Sequence, residues 1–456
     1  MKGRIITLVC ATALLSSCHI YQKYERPEDL VTEGIYRDID NDESFSGLTF
    51  GDVPWREVFT DPLLQSLIEE ALENNADMQS AQLTVEQAKA QLSAARLSYL
   101  PLFQLSPQGT ITSIDYGKAT QTYSLPVSAN WQIDLFGQLL NPHRNAKVTY
   151  RQTQYYQQAV QTQIIANVAN LYYTLLMMDK NLQITTDMSL LLERTTDTMQ
   201  EMTNLSYANA ASVEQARAAY AQVVASLSDL KQNIRELENT LCLLLNKPAQ
   251  PVARGRFEDQ QLPTQFETGV SVQMLSNRPD IQAAEMALAA CYYDTNSARA
   301  AFYPQLTISG QAGWTNNLGM VVNPGKMLAS VVGSLTQPLF YRGRLAAALK
   351  AAKANEEKAK LQFQTALLNA GNEVSNALYE YEICQEKASA RKIQVASAKN
   401  ASDYTQELFQ LGTSSYLEVL SAQSSYLSAQ LSEVSDTYSQ MQAVISLYQA
   451  LGGGRS

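Results

Sequence analysis

Histidine is nearly missing from this 456-residue sequence, and cysteine is scarce. The histidines are His19 and His143, and the cysteines beyond residue 18 are Cys242, Cys291 and Cys384, which have no paired spacing. The sequence contains no His/Cys/Asp cluster, glycine-rich phosphate loop or nucleophile elbow. These absences argue against an enzyme, a disulfide framework, a metal site and a bound cofactor.

Long hydrophobic runs are also missing. The apolar run from Ile5 to Leu15 follows Lys2 and Arg4 and is too short to span a bilayer, which is typical of a secretory signal. It ends in Leu15-Ser16-Ser17-Cys18, which resembles the bacterial lipobox. The resemblance implies that residues 1–17 are removed and that Cys18 carries a covalent lipid, the only attached group expected. His19 follows in place of the Asp linked to inner-membrane retention, which indicates the outer membrane. The alternative is an ordinary signal peptide that happens to contain Cys18.

Charge of either sign is sparse, at 17% of residues, while hydrophobic residues make up 45%. Removal of Lys2 and Arg4 lowers the basic count from 34 to 32 against 44 acidic residues, a net charge of −12. This balance argues against nucleic acid as a partner. The abundance of Ala, Gln, Ser and Asn favours long helices that are wet on much of their surface.

Proline and glycine are absent between Pro142 and Pro248. This stretch predicts a helix of about 60 residues and a second of about 35, separated by a break near 207–211. The longer helix would reach roughly 90 Å at a rise of about 1.5 Å per residue. A similar pair is predicted from 343 to 410 and, after a turn at Gly412, onward to Leu451.

A heptad-like row of mostly small residues follows the second long helix, with an extra step of four between Ala370 and Val374. Its members are Leu345, Leu349, Ala352, Glu356, Ala359, Phe363, Ala366, Ala370, Val374, Ala377, Tyr381 and Cys384. Such a row allows neighbouring helices to approach closely. An ordinary two-stranded coiled coil is the simpler explanation of this pattern, but a rod of that kind would not be joined to strands.

The sequence contains one long internal repeat. Ala71 to Ala81 matches Met274 to Ala284, and the offset of 203 residues then holds through Pro101 and Pro304. The predicted organisation is a lipoprotein signal (1–17), a lipidated arm (18–54), a first repeat (55–250), a linker (251–268), a second repeat (269–451) and a tail (452–456). Each repeat consists of a helix, two strands, a long helix and a return helix.

Alternating apolar and polar residues predict the strands. The clearest case runs from Tyr123 to Leu135, where odd positions are apolar and even positions other than Pro126 are polar. The predicted strands are about 102–113, 122–135, 305–315 and 328–340, with loops at 115–118 and 316–326 between the members of each pair.

Strands of roughly 10 to 13 residues are longer than the usual 5 to 6 and suit a tilted membrane span. Two soluble hairpins packed on helices are the alternative. Four strands cannot close a barrel, because small barrels need about eight, and a lipid-exposed edge would leave backbone groups unpaired. The sequence therefore predicts a mainly α-helical protein with a membrane β-barrel shared between protomers, as a dimer or a trimer.

The chain resembles the TolC-like outer-membrane efflux proteins, in their lipoprotein branch. The resemblance covers the mature chain and is carried by Phe409 to Gln423, by Leu447 to Gly454, by Asn277-Arg278-Pro279-Asp280-Ile281, and by Tyr24 to Pro27. It implies a homotrimer with a twelve-stranded barrel in the outer membrane above a twelve-helix periplasmic tunnel. Its implied partners are a periplasmic adaptor, an inner-membrane pump of the RND type and outer-membrane lipid.

The resemblance also implies a closed aperture at the tips of the helical pairs, ringed by acidic side chains. Glu418 is the matching position, and Glu214 in the first repeat is a lesser candidate. Facing carboxylates would repel one another, raise their pKa values and attract cations. Ser421 stands where the family often has a second acid, and Ser414 where some members place a basic residue. For a lone glutamate near a helix start, stabilisation of the helix dipole is the simpler explanation.

The expected function is efflux of small molecules such as drugs and toxic compounds. The alternative function is the exit duct of a type I-like protein secretion system, because the same kind of tunnel serves both. A structural helical lipoprotein would explain the signal and the helices but not the two alternating hairpins.

Overall fold

A computed structural model describes residues 20–28, 30, 35, 50–207, 209–263, 277–318 and 320–454. The first half of these contains α1 (Trp55–Val58), α2 (Pro62–Asn74), α3 (Ala76–Leu97), β1 (Leu102–Leu105), β2 (Gln108–Thr112), β3 (Thr120–Ile133), α4 (Leu140–Asn204) and α5 (Ala210–Leu244). The second half contains α6 (Pro279–Ala300), β4 (Gln305–Asn317), β5 (Val321–Thr336), α7 (Arg344–Gln410) and α8 (Tyr416–Ala450). Short 3₁₀ turns lie at Phe50–Asp52 and Phe257–Asp259.

The fold is mainly helical with an antiparallel sheet, as predicted. Among the described helices, none is long and apolar enough to cross a bilayer.

The chain forms two compact units, and each draws on both predicted repeats. The first, the strand unit, takes its described residues from Met1–Leu30, Leu83–Tyr155 and Asp280–Ala366. The second, the helical unit, takes them from Val31–Gln82, Tyr156–Pro279 and Leu367–Ser456.

The sheet of the strand unit has the order β1-β3-β4-β5, with β2 also paired to β3, and its pairs are antiparallel. Leu125, Val127 and Trp131 on β3 are 49%, 47% and 40% exposed in the chain, which matches the predicted apolar outer face. Within the described residues, the outer edges of β1, β2 and β5 pair with no further strand.

The first predicted strand is interrupted at Pro107. Leu105 pairs with Val127 and Gln108 pairs with Ser124, so β1 and β2 continue one register along β3. Proline has no N–H to donate to a ladder, which breaks the hydrogen bonding without shifting the strand.

The second strand begins and ends earlier than predicted, at Thr120 and Ile133. Asp134 ends it, because its carboxylate accepts hydrogen bonds from the backbone N–H groups of Gln138, Leu139 and Leu140 at 2.7, 3.1 and 2.7 Å. The long helix begins at Leu140, so Asn141 lies in its first turn and does not cap it. Asn141 is buried, and its Nδ2 donates to the carbonyls of Ile20 and Gly137.

The predicted loop at 316–326 and the fourth strand at 328–340 were also wrong in position. The fourth strand, β5, spans Val321–Thr336, and only residues 318–320 separate it from β4. The buried Asn316 explains the short loop: its Oδ1 accepts from Tyr123 N at 2.7 Å, and its Nδ2 donates to Gln121 O at 3.0 Å. At the far end Gln337 donates its side-chain N–H to Phe302 O, and Pro338 cannot continue the ladder.

Two corrections concern the helices. The predicted first helix is broken at Asn75, whose Oδ1 accepts from Asp77 N and Met78 N and whose Nδ2 donates to Leu244 O. On α7 the row of buried residues passes through Leu367, 4% exposed, and not through Ala366. Steps of four then run through Ala359, Phe363 and Leu367, so the extra step lies seven residues, or about two turns, earlier than the sequence suggested.

A hydrogen-bonded network holds the start of α2 in the helical unit. Asp61 caps this helix by accepting from Leu63 N at 2.9 Å, and its Oδ2 accepts from Tyr172 Oη at 2.6 Å. Tyr172 is fully buried, and its hydroxyl also accepts from Gly255 N at 2.9 Å. Burial raises the pKa of Asp61, but hydrogen bonds from Tyr172, Gln260 and the backbone outweigh this effect and hold the pKa below its ordinary 3.8.

Tyr172→Phe should therefore lower the free energy of unfolding by about 1.5–3 kcal/mol at neutral pH, the usual contribution of a hydrogen bond to a charged group. A depressed carboxyl pKa stabilises the fold above the unfolded pKa, and this stabilisation is lost as pH falls through the folded pKa. The deficit of the variant should thus narrow below about pH 4. Urea denaturation followed by circular dichroism at neutral and acid pH measures both effects. Tyr173→Phe is the matched control, because the neighbouring Tyr173 is 1% exposed and its hydroxyl bonds no described residue; an equal loss in the control would contradict the role of the network.

Candidate aperture at the helical turns

Two tight turns connect the long helices in the helical unit. The first lies between α4 and α5 at 205–209, and the second between α7 and α8 at 411–415. Gly412 has φ +76°, and Ser206 takes the matching left-handed conformation at φ +65°. The hydrogen bonds also match, from Tyr207 N to Met202 O and from Thr413 N to Leu408 O. The first turn therefore has the same backbone geometry as the second, although it contains no glycine. Ser206 adopts the left-handed conformation there, which is strained for a residue with a Cβ atom.

Buried apolar side chains hold the two turns against each other. Met199 from α4, Val213 and Ala216 from α5 and Tyr416 from α8 form one cluster, each at most 5% exposed. Phe409 packs against it, with its ring centroid 6.3 Å from that of Tyr416 in an edge-to-face arrangement. The sequence patterns did not predict this cluster, although the aromatic pair flanking Gly412 is a visible signal of it.

Glu418 forms a capping box at the start of α8. Its Oε2 accepts from Ser415 N at 2.8 Å, while Ser415 Oγ accepts from Glu418 N at 3.4 Å. Ser414 Oγ also donates to Glu418 Oε2. The hydrogen bonds from Ser414 and from the backbone of Ser415 lower the pKa of Glu418. Within one chain this direction is opposite to the one expected of facing carboxylates, and it matches the helix-start explanation.

The other two candidates lie in different surroundings. Glu214 on α5 is exposed and pairs with Arg217 at 2.8 Å, and Arg217 also donates to Gln200 Oε1 at 2.8 Å. Ser421 is exposed one helical turn beyond Glu418. No hydrogen bond or ion pair between described residues joins Glu214 to Glu418. Cys18, the predicted lipidation site, lies outside the described residues, as do residues 1–17.

The capping box predicts that Ala and Gln substitutions of Glu418 differ in their effect on helix stability, a difference that loss of the charge alone would not give. Ser415→Ala should cost about 1 kcal/mol locally, so that amides of the first turn of α8 exchange with deuterium about fivefold faster. Glu418→Ala should change exchange in the same direction, whereas Glu418→Gln should resemble the wild type, because glutamine also completes a capping box. Hydrogen exchange resolved to residues 415–421 measures this, with Ser421→Ala as the control. Equal acceleration in the Gln and Ala variants of Glu418 would contradict the cap.

Comparison with known proteins relates this arrangement to one family. The family model described as "Outer membrane efflux protein" matches residues 67–247 and 270–453. Among curated proteins, the chain is 27% identical to the cation efflux system protein CusC of Escherichia coli K12, over 98% of each chain. It is 28% identical to the probable efflux pump outer membrane protein TtgC of Pseudomonas putida, over 100% of this chain and 96% of TtgC. It is 27% identical to the probable outer membrane lipoprotein SilC of Salmonella typhimurium, over 89% of each.

Solved structures show the same fold. A crystal structure of CusC aligns with a TM-score of 0.82 at 26% identity and covers 92% of this chain and 99% of its own. The open state of the MtrE outer membrane channel of Neisseria gonorrhoeae aligns with a TM-score of 0.80 at 25% identity, covering 95% of this chain and 98% of its own.

Proposed function

Because the chain belongs to the outer membrane efflux protein family, we propose that it is the outer-membrane channel of a tripartite efflux system that exports small molecules such as drugs and toxic compounds. The observation that carries this function is the sheet with an apolar outer face, joined at its strand ends to helices of 65 and 67 residues. Conduction requires no catalytic step. The proposal therefore includes no active site and no cofactor apart from the covalent lipid.

The conduit is a homotrimer. One chain contributes the four strand positions predicted from its sequence, and its sheet has open edges at β1, β2 and β5. In hydrocarbon each unpaired backbone group costs several kcal/mol, so these edges must pair with neighbouring protomers. Three chains then supply a barrel of twelve strand positions, within the range known for membrane barrels.

The helical turns are the contact surface for the periplasmic adaptor, which links the channel to an inner-membrane pump of the RND type. Leu205 and Tyr207 at the first turn are 67% and 79% exposed, and Leu411 and Leu417 at the second are 76% and 62% exposed. Exposed apolar side chains close together are typical of protein interaction sites.

Cys18 carries the lipid that anchors the chain in the outer membrane. The support is the sequence Leu15-Ser16-Ser17-Cys18 after a short apolar run, together with the similarity to SilC, a relative named as an outer membrane lipoprotein. One acylated residue would then add to the attachment that the barrel provides.

The relatives do not settle the substrate by similarity alone. CusC is named for cation efflux, while a TtgC protein of another Pseudomonas putida strain is named for toluene efflux, at 27% and 28% identity to this chain. Met177, Met188 and Met199 are each at most 9% exposed, whereas Met320 and Met327 in the strand unit are 73% and 64% exposed. Methionine exposure therefore does not select between soft cations and organic compounds. We propose organic compounds as the cargo, the class for which the toluene efflux relative is named.

A deletion strain tests the function. Loss of the gene should increase sensitivity to a panel of organic drugs and solvents, and the wild-type gene should restore resistance. A variant with Tyr207→Asp and Leu411→Asp should reach the outer membrane as a heat-modifiable oligomer without restoring resistance, because it has lost the adaptor contact. Unchanged drug sensitivity with loss of a secreted protein would instead establish the secretion duct. Sensitivity restricted to metal ions would overturn the organic cargo.

We further propose that Glu418 lines the closed aperture while it caps α8, with Ser421 one turn deeper on the same helix. Its carboxylate is exposed and ionised, because its pKa is lowered by the local hydrogen bonds. Glu214 contributes less, because Arg217 neutralises it. A trivalent cation that binds this carboxylate should block the channel in planar bilayers. Glu418→Gln should weaken the block, so that the cation concentration at half-maximal conductance rises several-fold. Glu214→Gln is the matched control, expected to behave as wild type; an unaltered block in Glu418→Gln would remove Glu418 from the aperture.

A further inference from the structure

Positive side chains gather at the rim of the strand unit where helices join strands. Arg96 lies in the last turn of α3, and Arg144 and Lys147 lie in the first two turns of α4. All three are close to His143: burial lowers the pKa of this imidazole, and the charges of Arg96, Lys147 and Arg144 lower it further. The histidine is therefore largely neutral at pH 7, and the positive charge of the group comes from the three longer side chains.

Among the described residues, Arg144 is the one of these three cations that makes hydrogen bonds within the chain. Arg144 donates to the carbonyls of Tyr21 and Gln22 at 3.0 and 3.2 Å. Arg96 and Lys147 are exposed, and neither makes a hydrogen bond or ion pair with a described residue. The carboxylate of Asp134 accepts from the backbone N–H groups of Gln138, Leu139 and Leu140 and bonds to neither cation. In a chain of net charge −10, this rim thus presents two cations that form no ion pair with a described carboxylate.

Exposed apolar side chains lie next to the cations. Leu97 and Leu100 between α3 and β1 are 62% and 61% exposed, and Trp131 near the end of β3 is 40% exposed. The indole N–H of Trp131 donates to Tyr99 O at 2.9 Å, and the Tyr99 ring stands edge-to-face with His143 at 6.0 Å. An aromatic ring and leucines bordered by Arg and Lys are the composition of a membrane–water interface.

The N-terminal arm also indicates that this rim lies at the membrane–water interface. Ile20 is 1% exposed, and its carbonyl accepts from Asn141 Nδ2 at 3.2 Å in the first turn of α4. Cys18 precedes Ile20 by two residues and can lie at most about 7 Å away along the chain. This step depends on the proposed function, in which Cys18 carries a lipid in the periplasmic leaflet of the outer membrane. The first turns of α4 then lie at the depth of the phospholipid headgroups.

We propose that Arg96 and Lys147 bind the phosphate of an anionic phospholipid headgroup in the periplasmic leaflet, with Trp131 against its acyl region. Arginine and lysine donate charge-assisted hydrogen bonds to phosphate oxygens, and an anionic headgroup supplies the ion-pair partner that the described residues do not give these two side chains. The site is formed by α3, β3 and α4 of a single protomer.

The test uses the full-length trimer, delipidated in a neutral detergent and titrated with dioctanoyl phosphatidylglycerol. Each surface cation contributes roughly fivefold to binding of an anionic lipid, so R96Q/K147Q should weaken the affinity about 25-fold. R96K/K147R keeps both charges and should bind nearly as wild type. The matched control is K231Q/R235Q on α5, where two exposed cations with no described partner lie one turn apart; its affinity should be unchanged. Phosphatidylcholine and inorganic phosphate should bind all variants weakly.

Several results would overturn the site. These are wild-type affinity in R96Q/K147Q, an equal loss in K231Q/R235Q, or inorganic phosphate binding as tightly as the lipid. Should the neutral variant fail to form a trimer, the wild type titrated at low and high salt keeps the question decidable, because lipid affinity that does not fall with salt rules out the charge contact. Failure of the channel function would be separate: the wild-type gene would not restore resistance in the deletion strain, whatever its lipid affinity.

Discussion

The pairing of backbone hydrogen-bonding groups in hydrocarbon is the constraint on which the rest of this structure depends. A sheet in lipid cannot end at a free edge, since no water is present to take up the unpaired N–H and C=O groups. The sheet of one chain ends at β5 on one side and at β1 and β2 on the other. The strands can therefore be stable in the membrane only in a ring of copies.

The same constraint explains why the sequence predicted the sheet faces better than the strand ends. Alternation depends only on which side of the sheet is apolar, so Leu125, Val127 and Trp131 were assigned correctly. The ends depend on single side chains that reach distant backbone groups. Asp134 collects three N–H groups and closes β3, and Asn316 bonds to β3 and shortens a loop that looked long. No periodicity in the sequence carries such contacts.

For the helical turns, too, the sequence predicted the position better than the detailed conformation. Both helical turns lie close to the positions predicted from the sequence, near 207–211 and at Gly412. The absence of proline and glycine marked the first long helical stretch, and a glycine marked the second turn. The sequence did not reveal that Ser206 adopts the conformation of Gly412, since strain at one residue is supported by packing elsewhere. Glu418 illustrates a further limit. Its capping box needs only residues 415 to 418, so the motif exists whether or not the carboxylate faces an aperture. Geometry within one chain explains its pKa, and only the assembled trimer decides its role in closure.

The rim of the strand unit has to meet two demands at once. Backbone that is paired in the sheet continues into helices whose first N–H groups need new acceptors, and Asp134 supplies them on the polar side. The apolar side faces acyl chains at one end and water at the other over the same few residues. A purely hydrophobic side chain would be exposed to water there, and a short charged one would be exposed to hydrocarbon. Trp131, with its indole bonded to the backbone, and the flexible side chains of Arg96 and Lys147 satisfy both limits, because each has an apolar part and a polar end. The sequence signal of this boundary is therefore a change of residue chemistry across one helical turn, and it coincides with the point where the N-terminal arm is held by Asn141.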